Sequence, residues 1–166
     1  MERIAKFEKV SKEQFEKDWI DTFGAYESVP YEEIRLPERA TAGSAGYDFC
    51  TPAAFTLAPG ETIKIPTGIR VRIENGWFLG VYPRSGLGFK YRLQMNNTVG
   101  VIDSDYYFSE NEGHIFIKMT NASNEGRTLS LNAGDAFAQG IFTPFGITED
   151  DEVTAERNGG FGSTGK

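Results

Sequence analysis

The first apolar pattern of the chain has the period of a helix. Phe15, Trp19 and Phe23 recur every four residues, which places them on one face of an α-helix. Ser11 opens a capping-box pattern, so we expect the helix to begin directly after it, and Gly24 is a suitable stop. The pattern predicts a helix that packs on the outside of the domain or, alternatively, one that docks a partner or a sister subunit.

From about residue 34 the apolar period changes to two. Ile63 and Ile65 alternate with polar residues, and so do Ile69, Val71 and Ile73. Further short apolar runs, separated by glycine, proline or asparagine, lie at residues 77–82, 91–95, 98–102, 115–119, 128–131 and 137–142. Many short strands at this spacing are typical of an all-β barrel or sandwich.

The last part of the chain has a different composition. Residues 148–152 are acidic and are typical of a solvated connector. The glycine- and serine-rich residues that follow cannot hold one shape alone, yet they carry a cation, Arg157, and a ring, Phe161. We therefore predict three parts: a helical extension (1–28), a β domain (29–147), and an acidic linker with a flexible C-terminal arm (148–166).

Composition narrows the possible functions. The formal net charge is −7, which argues against a general nucleic-acid binder, because phosphate affinity needs clustered Lys and Arg. A small phosphorylated ligand remains possible, since a few arginines and a divalent cation can hold it. We expect no membrane span and no signal peptide. The single cysteine, Cys50, cannot form an internal disulfide and favours a reducing cytoplasm.

Two polar patterns are candidates for binding an anion. Residues 83–88, P-R-S-G-L-G, have the composition of a phosphate cradle, but a hairpin turn with one arginine explains them too. They do not form a Walker A loop. Gln139 lies within an apolar run, and a buried amide must find partners. It bonds either the backbone or a ligand.

Acid–base chemistry in this chain points to a carboxylate. Asp103 and Asp105 follow an apolar run and stand next to an aromatic residue, Tyr106. One aspartate could simply cap a turn. His114 is the only histidine, so we expect no Ser-His-Asp, Cys-His or histidine-based metal site. We expect the aspartates and Tyr106 to form the wall of a site for a flat ligand and a positioned water.

Taken together, these pieces resemble the trimeric all-β dUTP nucleotidohydrolases (dUTPases) from about residue 34 to the C-terminus. The motifs that carry the resemblance are A-G-Y-D-F at 45–49, P-R-S-G at 83–86, G-V-I-D-S-D-Y at 100–106, G-D-A-F-A-Q at 134–139 and G-G-F-G-S-T-G at 159–165. Five short motifs in order are far more specific than any one of them.

Three features depart from the pattern of that family. Only one residue separates Arg157 from the glycine-rich arm, where the family usually has two. Residues 107–112 intervene before Gly113, where the family commonly has a glycine almost directly after the tyrosine. The N-terminal helix is additional, and the resemblance implies no role for it.

The resemblance implies a fold and a reaction. The fold is a distorted β-barrel or jelly roll with a short N-terminal helix and a flexible C-terminal arm. The reaction is hydrolysis of dUTP to dUMP and pyrophosphate, which limits uracil incorporation into DNA, with Asp103 as general base and Mg²⁺ on the phosphates. Asp48 would lie in the outer shell of the metal at most. The phosphate-contacting positions would be Arg84, Ser85, Gly86 and Gln139.

The resemblance also implies how the nucleotide is selected. Uracil would be read by Asn97 and by backbone groups of Val101 and Ile102, and cytosine would leave buried groups unpaired. Tyr106 would lie against the deoxyribose. The arm would close the site with Arg157 on the terminal phosphate and with Phe161, Gly162 and Ser163 over the nucleotide. Each site would be shared among the subunits of a homotrimer.

Two other functions fit the same sequence. A dCTP deaminase, or a bifunctional deaminase–dUTPase, shares this fold but usually carries a glutamate base and a different base-reading strand. A dUTPase-like regulatory protein would act by binding a partner, with the N-terminal helix and residues 107–112 as contact surfaces.

Overall fold

The computed structural model describes residues 1–26, 29–155 and 157, and this part of the chain forms twelve short strands and two α-helices. In chain order the elements are β1 (Ala5–Lys9), α1 (Lys12–Phe23), β2 (Glu38–Arg39), β3 (Tyr47–Cys50), β4 (Phe55–Leu57), β5 (Thr62–Pro66), β6 (Ile69–Ile73), β7 (Trp77–Pro83), α2 (Ser85–Tyr91), β8 (Leu93–Met95), β9 (Gly100–Ile102), β10 (Phe116–Asn121), β11 (Leu129–Leu131) and β12 (Ala136–Pro144). Two 3₁₀ segments, Tyr31–Glu33 and Ser104–Phe108, lie in the connections.

Helix α1 begins and ends where the sequence predicts. The Ser11 hydroxyl accepts a hydrogen bond from the Gln14 backbone N–H at 3.1 Å, as an N-cap does. Gly24 ends the helix with a φ of 82°, a conformation that glycine adopts without steric cost. Phe15 and Trp19 pack into the core and are 0% and 7% exposed, whereas Phe23, the third residue of the predicted stripe, is 44% exposed and contacts the Trp19 ring.

Strand β1 was not predicted from the sequence. It pairs antiparallel with β6 from Ala5 opposite Ile73 to Lys9 opposite Ile69. Three of its five residues are charged, and it lies between buried Ile4 and Val10. The sequence signal for this strand is weak because the strand is short and highly charged. Hydrogen bonds to β6 stabilise it in the folded protein.

The strands form four antiparallel sheets of a jelly-roll-like fold. The largest has the order β2-β3-β12-β7-β9, a second has the order β5-β10-β8, and two pairs, β1-β6 and β11-β4, complete the set in the described residues. The all-β prediction is therefore confirmed. Within the described part of the chain the sheets do not close into a barrel.

The five-stranded sheet has two chemically different faces, because successive side chains of a strand point to opposite sides. Phe49, Val81 and Ile102 point into the core and are 1%, 1% and 3% exposed. Asp48 and Gln139 lie opposite each other on β3 and β12, on the outward face. This alternation decides where the candidate functional residues lie.

Helix α2 occupies a region predicted as a turn followed by a strand. Ser85–Tyr91 is helical and ends at Arg92, whose φ is 51°, so β8 begins only at Leu93. The two glycines of the helix suggested a turn from the sequence. No helix in the described residues is long and apolar enough to cross a membrane.

Candidate active site

A surface pocket of about 530 Å³ gathers the first group of predicted residues. We call it the arginine pocket, and the predicted residues that line it are Asp48, Arg84, Ser85, Gly86 and Gln139. Asp48 and Gln139 come from the outward face of the large sheet, and the other three come from the junction between β7 and α2. The predicted residues thus supply a guanidinium, a carboxylate, a hydroxyl and an amide to the pocket, and Ser44 adds a second hydroxyl.

The junction between β7 and α2 presents donors to this pocket. Arg84 is the N-cap of α2, and Ser85 and Gly86 lie exposed in its first turn, where backbone N–H groups lack helical partners. A Cβ built on Gly86 would meet nothing within 4 Å. Glycine inside a helix costs stability, so packing within this chain does not explain it.

An ion pair holds Arg84 in the arginine pocket. Its Nε lies 3.1 Å from the Asp48 carboxylate, and both side chains are partly exposed, at 43% and 24%. Such a pair is weak in water, so the guanidinium is oriented without being fully neutralised. It remains available to an anion.

The sequence left open whether the Gln139 amide bonds the backbone or a ligand. The Gln139 Nε2 donates to the Pro83 carbonyl at 3.0 Å, so the amide bonds the backbone while it lines the pocket. A Cβ on Gly46 would lie 2.4 Å from Gln139 Oε1. Sequence reasoning missed Gly46 as a functional position, although it lies within the A-G-Y-D-F motif.

A second cavity, of about 470 Å³, lies on the core-facing side of the same sheet. We call it the hairpin pocket, because it is lined by the turn between β8 and β9. Val81, Gly100 and Ile102 form its apolar wall, and Asn97 is exposed at its edge. Val101 is not part of this wall; it is 51% exposed and pairs with Gly80.

The hairpin pocket also contains residues that sequence reasoning missed. Lys64 and Lys118 line it and stand opposite each other on β5 and β10. Asn111 and Phe116 line it as well. Nothing in the sequence signals that the two lysines are neighbours, because that depends on the register of two distant strands.

The predicted acids form a cluster just beyond β9. Arg157 donates from Nη2 to Asp103 at 2.7 Å and from Nε to Asp105 at 2.9 Å. The aspartate side chains are 49% and 51% exposed, and the Arg157 side chain is 12% exposed. Asp103 occupies the N-cap position of the 3₁₀ segment Ser104–Phe108, but its side chain makes no capping hydrogen bond.

Tyr106 is an interior residue in the single chain. It is 2% exposed, and its hydroxyl donates to the His114 carbonyl at 2.8 Å and accepts from Asn111 Nδ2 at 2.9 Å. Burial raises the pKa of Tyr106 to about 12. The Arg157 guanidinium lies 5.8 Å from the ring centre. The predicted contact of Tyr106 with a sugar stays a prediction.

The described residues contain no group of three or more His, Cys, Asp or Glu side chains arranged to hold a metal. Mg²⁺ prefers octahedral oxygen ligands and is commonly held by substrate phosphates and water with one or two carboxylates. Asp48 is the carboxylate of the arginine pocket, and it already pairs with Arg84. The residues therefore fit a magnesium ion carried mainly by a phosphorylated ligand.

One chain brings the predicted residues together in three separate groups. These are the arginine pocket, the hairpin pocket with Asn97 and Ile102, and the acid cluster with Tyr106 beside it. The two pockets share no lining residue and use opposite faces of the sheet. Phe161, Gly162 and Ser163, predicted for the arm, lie outside the described residues.

The fold and these pockets define a mostly β protein with one pocket rich in polar groups and another with an apolar wall. Comparisons with known proteins make the class specific. The family model described as dUTPase matches residues 32–165. The chain therefore belongs to the dUTPase family.

Individual relatives agree with this assignment. The chain is 43% identical over 135 residues to the deoxyuridine 5'-triphosphate nucleotidohydrolase of Lactococcus lactis subsp. lactis (strain IL1403), across 80% of this chain and 89% of that protein. The crystal structure of dUTPase from Streptococcus mutans superposes with a TM-score of 0.64 at 33% identity, and covers 86% of this chain and 98% of its own.

A more distant structure shares the fold. It is a variant of the dUTPase from phage phi11 of S. aureus, described as revealing the coordination of a structural Mg(II) ion. It superposes with a TM-score of 0.63 at 22% identity, over 92% of this chain and 98% of its own.

Proposed function

We propose that this chain hydrolyses dUTP to dUMP and pyrophosphate. Membership of the dUTPase family and the curated names of its relatives support the reaction. The observation that carries the proposal is the arginine pocket, which concentrates phosphate-binding groups in a chain of net charge −7. A cytoplasmic location belongs to the same proposal.

Asp103 acts as the general base in this proposal. Its carboxylate follows β9 directly and remains about half exposed, so a water molecule can reach it. It would take a proton from a water aligned for attack on the α-phosphorus, and pyrophosphate would leave on the opposite side. A positioned base contributes about 10²–10⁴-fold to such a rate.

The arginine pocket would bind the phosphates. Arg84 and the first N–H groups of α2 face the pocket, and Ser85 adds a hydroxyl. The Gln139 Nε2 donates one hydrogen to the Pro83 carbonyl, so its second N–H is the donor that Gln139 would offer to a phosphate. Donors fixed before the substrate binds stabilise developing charge at little reorganisation cost.

Magnesium would enter this site bound to the phosphates of the substrate. Bound to phosphate oxygens, Mg²⁺ supplies charge neutralisation during phosphoryl transfer. Asp48 is the side chain that would support it through water.

The hairpin pocket would bind uracil. Asn97 and the backbone of residues 101 and 102 would bond the base edge, and the apolar wall of Val81 and Ile102 would cover its faces. Cytosine would present a donor where uracil presents an acceptor, which leaves a buried group unpaired. Tyr106 would exclude a 2′-hydroxyl, which requires Arg157 to leave its ring.

A homotrimer with shared sites is the assembly that the resemblance to the trimeric dUTPases implies, and the positions of the two pockets are compatible with sites shared between chains. One nucleotide cannot contact both pockets of one chain, because they lie on opposite faces of one sheet. A closed ring of identical chains places one face of each subunit against the other face of its neighbour. Arg157, which holds Asp103 in the single chain, would move to the terminal phosphate when the arm closes.

Product analysis tests this function. The assembled protein is incubated with each deoxynucleoside triphosphate and Mg²⁺, and pyrophosphate, nucleoside monophosphates and ammonia are measured. We expect dUMP and pyrophosphate from dUTP and little from the others. Ammonia from dCTP would favour the deaminase alternative, and no product from dUTP would overturn the proposal.

A further inference from the structure

Two features that depart from the dUTPase pattern are in contact with each other. One is the N-terminal segment, residues 1–26, which precedes the part matched by the family model. The other is the acid loop, residues 103–114, which begins with Asp103 and contains the additional residues 107–112. Polar side chains join the two at three points.

The first contact lies between Glu112 and the N-terminus of α1. The Glu112 carboxylate accepts both the backbone N–H and the hydroxyl of Ser11, each at 2.7 Å. Partial burial raises the pKa of Glu112, but these two hydrogen bonds outweigh it and lower the pKa below its usual value. Glu112 has a φ of 59°, an uncommon conformation for this residue that surrounding contacts must maintain.

The second contact joins β1 to the aromatic residue after Tyr106. The Tyr107 hydroxyl donates to Glu8 at 2.5 Å and accepts from Arg70 at the same distance. The Arg70 guanidinium also lies 4.1 Å from the centre of the Tyr107 ring. The hydrogen bond from Tyr107 is the main reason that the pKa of Glu8 falls to about 2.

The third contact is buried and reaches Tyr106 itself. His114 is fully buried, and its Nδ1 lies 2.6 Å from Asp18 of α1. Since Gly68 donates to His114 Nε2 at 2.8 Å, the ring proton is on Nδ1 and points to Asp18. The His114 carbonyl accepts the Tyr106 hydroxyl. Helix α1 is thereby linked to the residue three positions after Asp103.

We propose that Ser11, Glu8 and Asp18 are positioning residues that hold the acid loop, and with it Asp103, in the geometry for water activation. Residues 107–112 then contain two of the loop residues, Tyr107 and Glu112, that bond to the N-terminal segment. The inference rests on the proposed function, because it assigns Asp103 the role of base. It explains both departures from the family pattern by one set of contacts.

A charge placed at the cap of α1 tests the inference. Ser11→Asp keeps a good N-cap acceptor but sets a carboxylate against Glu112. We expect kcat for dUTP to fall about tenfold or more, because small displacements of catalytic groups are costly, while KM stays near the wild-type value. Amide exchange in residues 103–114 should rise.

Rescue separates positioning from general stability. Adding Glu112→Gln to Ser11→Asp removes the repulsion and should restore most of kcat and the slow amide exchange. Glu13→Gln, an exposed carboxylate of the same helical turn, is the control and should match the wild type. Should Ser11→Asp not fold, Glu112→Ala replaces it and should lower kcat in the same way.

Three outcomes would overturn the inference. Unchanged kcat in both Ser11→Asp and Glu112→Ala means that the contacts do not position Asp103. A fall in kcat that Glu112→Gln does not relieve, or a fall in thermal stability and a rise in KM with kcat unchanged, assigns the contacts a structural role only. An inactive wild-type protein would overturn the proposed function as well, so the two failures are distinguishable.

Discussion

The arginine pocket and the acid loop are built by different means. The arginine pocket takes its residues from regular strands of one sheet and from the start of α2, so backbone hydrogen bonds fix it. The acid loop is irregular and depends on side chains about 40 to 100 positions distant in sequence, such as Ser11 and Arg70. Short motifs are therefore sufficient for the pocket, whereas the loop needs side-chain contacts from distant parts of the chain.

The largest expected effect lies in the acid loop. Asp103→Asn removes the proposed base while it keeps the shape of the side chain. Turnover of dUTP should fall by about 10²–10⁴-fold, and binding of a non-hydrolysable dUTP analogue should stay close to the wild type. Pyrophosphate release and calorimetric titration measure the two quantities, and near-normal turnover would remove Asp103 from its role.

A substitution in the arginine pocket should weaken dUTP binding as well as lower the rate of hydrolysis. Arg84→Ala deletes the guanidinium that pairs with Asp48, and kcat/KM for dUTP should fall about 10- to 100-fold, the range for lost charged hydrogen bonds. Lys90→Ala, an exposed cation of the same helix, should have little effect. Equal losses in both variants would indicate a general effect of charge.

A smaller effect tests whether sheet geometry alone fixes the pocket. Gly46→Ala puts a methyl group 2.4 Å from Gln139 Oε1, so an amide tied to Pro83 must shift. We expect kcat/KM to fall about tenfold with little change in thermal stability. Gly43→Ala, whose methyl group meets nothing within 4 Å, is the matched control. Wild-type kinetics for Gly46→Ala would show that Gln139 is not needed in this position.

The smallest effect concerns stability at acid pH. Because the folded-state pKa of Glu8 is about 2 and its ordinary value is 4.5, this residue stabilises the fold above pH 4.5. The stabilisation is lost as the pH falls toward 2. Tyr107→Phe removes the main cause and should lower the free energy of unfolding at neutral pH by about 1 kcal/mol. Denaturant unfolding of the wild type and of Tyr107→Phe between pH 2 and 6 measures this. The same difference in the free energy of unfolding at every pH would contradict the prediction.

The sequence predicts the elements whose signals are local. Ser11, Phe15 and Gly24 define α1 because caps and a helical period need no distant partner. Strand β1 and helix α2 were missed, since a short charged strand depends on β6 and a helix with two glycines resembles a turn. The family assignment was confirmed because its motifs are short and ordered.

The sequence predicts which residues belong to the candidate site, but it does not predict how they are arranged in space. The grouping of Asp48, Arg84 and Gln139 follows from motif membership, and the structure brings them into one pocket. The sequence does not predict that the two pockets lie on opposite faces of the sheet, because this depends on strand register. It also does not predict the contacts between the acid loop and the N-terminal segment, because these depend on the tertiary structure. The roles assigned to individual residues remain predictions.

Mixing subunits tests most directly the claim that neighbouring chains complete one active site. Asp103→Asn and Arg84→Ala chains, each much less active than the wild type, are unfolded together, reassembled in equal amounts and assayed with dUTP at a concentration well below KM. Native mass spectrometry verifies mixed assemblies. If each site draws the two groups from different chains, about a quarter of the sites regain both and activity returns to about a quarter of the wild-type rate. Mixed assemblies no more active than the two parents would contradict the account.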